Sequence, residues 1–307
     1  MREEFYRRSA NGEGQVMSYR WKAATPKAIV QIIHDKSEYA GRYDRLAEAL
    51  ADAGYEVLAN DLVGHGMSKQ GHRGAFSNGE SALEYLVQDT VSLFEFAEAE
   101  TGSLPKVLIG FGLGELIAER CAAAEPDLSV LILAECIKKP AGIAAIRMSI
   151  RNQIRRHGFT SISESVHHMM FQTGKKPAPE GERDFYWLST VQEEISRYAR
   201  DEDCGFPLAA SAYRDMLDAF REMRTEEGAS GIPDIPIYVL AGAEDQLGMC
   251  GGTPRELCLL LSSTGHHQVA MRLYSSAYHD LLHDFCAEDV VEDIRSFLDR
   301  EIGRERA

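Results

Sequence analysis

The sequence predicts an α/β fold: a mostly parallel sheet flanked by crossover helices, with a helical insertion. Three observations carry this. Short apolar runs rich in β-branched residues alternate with longer amphipathic stretches, as strands joined by crossover helices do. The alternation stops between residues 137 and 231, where consecutive helical patterns replace it. The chain has 307 residues, 44% hydrophobic and 26% charged, with no low-complexity tract or short-period repeat, which fits one large globular core plus an insertion. The expected organisation is a core of residues 1–136 and 232–307 and a helical cap of residues 137–231.

Strand patterns run in order over Gln15–Trp21, 28–34, 56–61, Lys106–Phe111, Leu128–Ala134, 235–241 and Val269–Tyr274. A further strand near Tyr6 is expected to pair with the first, because Asn11-Gly12-Glu13-Gly14 between them is a turn sequence. Tyr43, Leu46, Ala47, Leu50 and Ala53 recur at helical spacing, and Gly54 follows where a helix C-cap belongs. Leu83, Leu86, Val87, Thr90, Phe94 and Ala97 mark a second helix, residues 116–124 a third stopped by Pro126, and residues 287–298 the last. Within 137–231 the breaks fall at Gly158, at residues 174–179 and at Pro207. Its aromatic and Met-rich groups are His167-His168-Met169-Met170-Phe171, Phe185-Tyr186-Trp187-Leu188 and Cys204-Gly205-Phe206. Such groups pack cap helices together or line an apolar pocket.

Acids outnumber bases 48 to 33, a net charge of −15, which argues against nucleic acid and anionic membrane surfaces as partners. The most apolar stretch, residues 107–118, carries Glu115 and is shorter than the roughly 20 residues of a spanning helix. The charged start Met1-Arg2-Glu3-Glu4-Phe5-Tyr6-Arg7-Arg8 does not read as a signal peptide, so a cytoplasmic location is expected. Cys121, Cys136, Cys204, Cys250, Cys258 and Cys286 include no CxxC pair, which argues for reduced thiols and against a zinc knot or a disulfide scaffold. No cofactor is expected.

Chemistry concentrates where Lys106-Val107-Leu108-Ile109 runs through the turn Gly110-Phe111-Gly112-Leu113-Gly114 into Glu115-Leu116-Ile117-Ala118. Asp245 follows a later strand, and His279 lies just beyond the last one. A sharp strand-to-helix turn, then an acid, then a histidine is the chain order of the α/β hydrolases. At these residues the sequence resembles the monoacylglycerol lipase and lysophospholipase-like branch of that superfamily, also classed as serine aminopeptidase-like. Ile33-His34 with Gly41-Arg42-Tyr43-Asp44-Arg45-Leu46-Ala47 is similar to the family's first loop, and Gly64-His65-Gly66-Met67-Ser68 to the motif after the next strand. Trp187-Leu188-Ser189 and Asp203-Cys204-Gly205-Phe206 resemble a bacterial subgroup's cap. Leu240-Ala241-Gly242-Ala243-Glu244-Asp245 and Tyr274-Ser275-Ser276-Ala277-Tyr278-His279-Asp280 resemble its acid and histidine loops. The resemblance implies an α/β-hydrolase fold, carboxylic-ester hydrolase ancestry, a His279–Asp245 pair, and His34, Lys36 and Leu113 around an oxyanion loop.

The departures fall where that family does its chemistry. The family motif is GxSxG, and Gly112 stands at the serine position; glycine can neither attack a carbonyl nor form an acyl-enzyme. His34 is followed by Asp35 where the family has glycine, and a carboxylate there opposes developing oxyanion charge. Glu115 replaces a small residue, with the bland reading that an acid in the first helical turn complements the macrodipole. Ser103, Cys121, Cys136 and Cys250 are not on the turn and are expected to be bystanders. Gly110, Gly112 and Gly114 do not make a dinucleotide loop, since Glu115 stands where the third glycine and the pyrophosphate belong. His279-Asp280-Leu281-Leu282-His283 resembles a zinc motif but sits where the family keeps a metal-free histidine, so no metal is expected. The pairs His167-His168 and His266-His267 point apart and are expected to serve packing or surface roles.

Three readings of function follow. The first is a hydrolase-like binder, sensor or pseudoenzyme holding a small, partly apolar molecule between core and cap. Departures at three positions, Asp35, Gly112 and Glu115, favour divergence over a single engineered change. The second is a non-covalent enzyme in which His279, oriented by Asp245, activates water held above Gly112, with Asp35 as a second acid/base group. The third is a scaffold or oligomerisation subunit, which requires the pocket to be filled by side chains.

Overall fold

The computed structural model describes residues 2–12, 14–69, 72–77, 79, 81–172 and 185–305. Among them the strands β1 (Arg2–Arg8), β2 (Gln15–Trp21), β3 (Ala28–Ile33), β4 (Tyr55–Asn60), β5 (Lys106–Phe111), β6 (Leu128–Ala134), β7 (Ile237–Gly242) and β8 (Val269–Tyr274) form one sheet, ordered β1-β2-β4-β3-β5-β6-β7-β8. The hairpin β1/β2 and the β2/β4 pair are antiparallel, and every other pairing is parallel. This is an α/β-hydrolase architecture. The expected strand near Tyr6 is β1, with Tyr6 opposite Met17; Glu13 of the expected turn and the break at 174–179 lie outside the described residues.

The helices are α1 (Asp44–Asp52), α2 (Leu83–Thr101), α3 (Leu113–Ala124), α4 (Ile143–His157), α5 (Glu164–His167), α6 (Gln192–Arg200), α7 (Ala210–Met223), α8 (Glu226–Ser230), α9 (Gly252–Ser263) and α10 (Ala287–Glu305). Helices α4 to α8 lie between β6 and β7, the span where the alternation stops, and Gly158 ends α4 at a φ of +88° that suits glycine. The helix α9 between β7 and β8 was not foreseen, although Pro254 in its first turn and Leu257 and Leu261 one turn apart are helical signals. Strand β7 begins at Ile237 rather than 235 because Pro236 has no N–H to enter the ladder.

Two apolar layers sandwich the sheet. One joins Leu46 and Leu50 of α1 to Ile294 and Leu298 of α10, and the other joins Leu86, Leu116, Ile117 and Leu217 from α2, α3 and α7. One close approach positions the site. A Cβ on Gly114 would lie 2.3 Å from the Ile33 carbonyl oxygen and 2.6 Å from that of His34, so α3 seats directly on the end of β3. That contact carries the loop after β3 over the start of α3. Substituting Gly114→Ala should therefore push α3 off β3 and cost about 1–3 kcal/mol, the range for overpacking a tight core. Urea unfolding should show a lower midpoint at unchanged slope.

Candidate active site

The turn between β5 and α3 is held in a conformation only glycine adopts freely, with Gly112 at φ +55° and ψ −112°. Gly112 N–H donates to the Ala134 carbonyl at 3.0 Å, which ties the turn to the end of β6. The space above Gly112 is filled. A Cβ built on Gly112 would lie 1.9 Å from Oδ1 and 2.1 Å from Cγ of Asp35, so the Asp35 carboxyl stands where a side chain on residue 112 would stand. The water expected above Gly112 in the direct-hydrolysis reading therefore has no room there. Oδ1 of Asp35 accepts the Leu113 N–H at 2.6 Å, occupying the amide that sequence reasoning assigned to the oxyanion loop.

Asp35 is held from its own loop. Its N–H reaches Oε1 of Glu38 and Oη of Tyr43, both at 3.2 Å. His34 fixes the same loop to the one after β4: its Nε2 accepts the Leu62 N–H at 2.9 Å, so its Nδ1 carries the proton that the Asp35 carbonyl accepts at 2.6 Å. The ring of His34 is thus spent on backbone. Ser37 anchors the far side of the loop to the helical insertion, its Oγ donating to the Phe206 carbonyl at 2.6 Å and its carbonyl accepting Gly205 N–H at 2.9 Å.

Asp245 and His279 come together as their placement after consecutive strands predicts, with His279 Nδ1 3.0 Å from Asp245 Oδ2. The other ring nitrogen, Nε2, lies 3.3 Å from Asp35 Oδ2, so the imidazole bridges two carboxylates. Asp245 is aligned by the Leu247 N–H, which donates to its Oδ1 at 2.8 Å. Lys36 Nζ completes the cluster at 3.0 Å from Asp35 Oδ2, and also lies over the rings of Phe171 and Trp187 at 5.0 and 5.3 Å. Burial opposes charge on both Asp35 and His279, yet the partners win. Lys36, His279 and the Leu113 amide hold the Asp35 carboxyl below the usual carboxylate range. Asp245 and Asp35 raise His279 to about 10. Asp245, His279, Asp35 and Lys36 thus stand in a row, each within 3.3 Å of the next.

Beyond Lys36 lies a cavity of about 360 Å³ between the first loop and the insertion, lined by Lys36, Phe171, Phe185, Trp187, Tyr198 and Phe206 among others. Trp187, which lines the cavity, places its ring 5.5 Å from that of His279. The aromatic groups of the insertion thus line a pocket as well as pack.

Other sequence candidates part from the site. His283 does not share a helical face with His279, because residues 281–283 form a single 3₁₀ turn, and it bonds Asp280 at 2.7 Å instead. Cys121 and Cys136 are fully buried, and burial pushes the Cys121 thiol up to about 12 and raises that of Cys136 as well. Glu115 does stand in the first turn of α3, but its role is larger than complementing the helix dipole. It is completely buried and accepts Arg224 of the insertion at 2.5 Å, with Glu119 on the same guanidinium. Burial raises the Glu119 carboxyl well above its ordinary value against the pull of Arg224, with Glu115 adding to the rise. Sequence reasoning missed Glu38, Glu135 and Arg224. Glu135 is buried and takes the Leu281 N–H at 2.8 Å, holding the loop that follows His279.

The sequence profile described as serine aminopeptidase, S33, matches residues 24–285. The chain belongs to this family of α/β hydrolases. The human monoglyceride lipase is 35% identical over 275 residues, covering 88% of this chain and 82% of that one. Phospholipase YtpA of Bacillus subtilis (strain 168) is 25% identical over 291 residues, covering 92% and 100%. A solved lipase in its open form superposes with a TM-score of 0.89 at 25% identity, covering 98% and 99%. The protein is thus related to the lipase and esterase-type α/β hydrolases, and no helix among the described residues is long and apolar enough to cross a membrane.

The raised His279 value has a stability consequence. Its protonation stabilises the fold fully below the unfolded-state value of about 6.5, and the contribution is lost as pH rises through about 10. The stability gap between wild type and His279→Gln, measured by urea unfolding, should accordingly narrow from about pH 6 to about pH 10. A gap independent of pH would mean that the imidazole is neutral in the folded state.

Proposed function

We propose that this member of the family binds a small, partly apolar molecule between the core and the helical insertion, which acts as its cap, and does not cleave esters through an acyl-serine. In this reading Gly112 takes the place of the family's serine, and Asp35 takes the place of that serine's side chain. The carrying observation is the Asp35 carboxyl, 1.9 Å from the position of a residue-112 Cβ and 2.6 Å from the Leu113 amide. Ester hydrolysis is blocked twice: no hydroxyl faces His279 from the turn, and the amide that would hold an oxyanion already holds an anion. The cavity of about 360 Å³ supports a binding role and speaks against a scaffold with a filled pocket. Direct activation of water by His279 is disfavoured near neutral pH, because an imidazole raised to about 10 carries the proton it would have to accept.

Fluorophosphonate probes, which need an activated serine, should leave the wild type unlabelled; stoichiometric labelling of any serine would refute the reading. Restoring Gly112→Ser alone should destabilise the fold without esterase activity, since Asp35 occupies the space. Adding Asp35→Gly should open that space and free the Leu113 amide. The double variant should then hydrolyse short-chain p-nitrophenyl esters about 10²–10³-fold faster than either single variant, the range for one oxyanion donor, with strong coupling between the sites. Wild-type hydrolysis that disappears in His279→Gln would instead establish direct water activation.

A further inference from the structure

We propose that α4 and α7 form a second binding groove, which takes a single anionic amphiphile: a molecule with a doubly charged phosphate head, held by Arg151 and Arg155, and an aliphatic tail. The groove shares no lining residue with the cavity beside Lys36, so the proposal stands or falls independently of the reading above.

The sequence gathers basic charge in one place. Acids number 48 in 307 residues, yet none occurs between Glu135 and Glu164, an interval that holds Lys138, Lys139, Arg147, Arg151, Arg155 and Arg156. Most of that interval folds into α4, a basic helix on a protein whose net charge is −15. Arg147, Arg151 and Arg155 are spaced four apart and therefore share one face of it. Like charges at this spacing destabilise a helix. The helix dipole accounts for Arg155 and Arg156 in the last turn, but not for Arg147 and Arg151 ahead of it.

Those three arginines open onto a groove of about 310 Å³, lined with them by Ile150 and Ile154 of α4 and Arg214 of α7. Its charges are unequally matched. Asp218 accepts Arg147 at 2.5 Å and Asp215 accepts Arg214 at 2.9 Å, both from α7. Arg151 and Arg155 are exposed and have no carboxylate partner among the described residues. The surplus is thus two guanidinium groups one helical turn apart. Guanidinium forks pair with phosphate oxygens in a bidentate manner, and one phosphate monoester carries about two charges, enough for both. A carboxylate would leave one arginine uncompensated. The isoleucines set the rest of the ligand, because an aliphatic tail covers them and inorganic phosphate does not. A single molecule fits better than a bilayer surface, since Ile150 is only 2% exposed and a flat surface does not reach it.

Decyl phosphate below its micelle concentration, titrated calorimetrically into the full chain, tests the groove. One molecule per chain should bind, about tenfold or more tighter than decanoate, decanol or inorganic phosphate, and more weakly at high salt. Arg151→Gln and Arg155→Gln should each weaken binding roughly tenfold, the value of one charge-assisted hydrogen bond. Their urea midpoints should stay unchanged or rise, because each variant relieves like-charge repulsion within α4. Hydrogen exchange should slow in peptides from α4 when decyl phosphate binds, and not in peptides from the loop carrying Lys36. Absence of saturable binding, equal binding of decanol, or protection of the Lys36 loop in place of α4 would overturn the proposal. So would binding to phosphatidylglycerol vesicles without binding of dispersed decyl phosphate, which would make α4 a membrane-docking helix instead.

Discussion

The space above the turn from β5 to α3 can hold a side chain on residue 112 or the carboxyl of Asp35, and not both. The contact distance of 1.9 Å to a built Cβ makes the exclusion steric rather than a preference. The rest of the site is arranged around that choice. The Leu113 amide, the Lys36 ammonium and His279 all turn toward the Asp35 oxygens, and Glu38, Tyr43 and His34 fix the loop that brings Asp35 there. The identities at positions 35 and 112 are therefore one structural decision.

Burying Asp35 and His279 together is tolerable because Lys36, His279 and the Leu113 amide favour the ionised carboxyl while Asp245 and Asp35 favour the protonated imidazole. An isolated ionised carboxyl in this position would face a desolvation cost of several kcal/mol, and removing any one member leaves a neighbour unpaired. The backbone supplies the remaining compensation, since Asp35 and Asp245 each accept an amide in addition to their charged partners. A second buried cluster sits beneath α3, where Arg224 reaches from the end of α7 to Glu115 and Glu119. It fastens the helical insertion to α3, the helix that follows Gly112.

The strands and the helices α1, α2, α3 and α10 were legible because such elements advertise themselves by local periodicity, and Gly54 and Gly158 mark helix ends with conformations few other residues adopt. The pairing of Asp245 with His279 was legible for a topological reason: consecutive parallel strands deliver their following loops to one edge of the sheet. The helix α9 escaped because its polar and apolar residues alternate weakly, with Leu259 exposed.

By itself the sequence determined which residues occupy the turn and its flanking loops, and hence that no serine stands at position 112. That a carboxylate stands at position 35, next to His34 in the first loop, was legible as well. Where its carboxyl goes was decided only in three dimensions, by the seat of α3 on β3 through Gly114, which brings a loop 77 positions earlier than Gly112 into van der Waals overlap with its missing side chain. Glu115 shows the same limit. A local rule reads it as a helix-start acid that complements the macrodipole, and only the packing of α7 against α3 supplies the distant arginine that makes its burial tenable. Periodicity is a property of neighbours in the chain, whereas charge compensation is a property of neighbours in space.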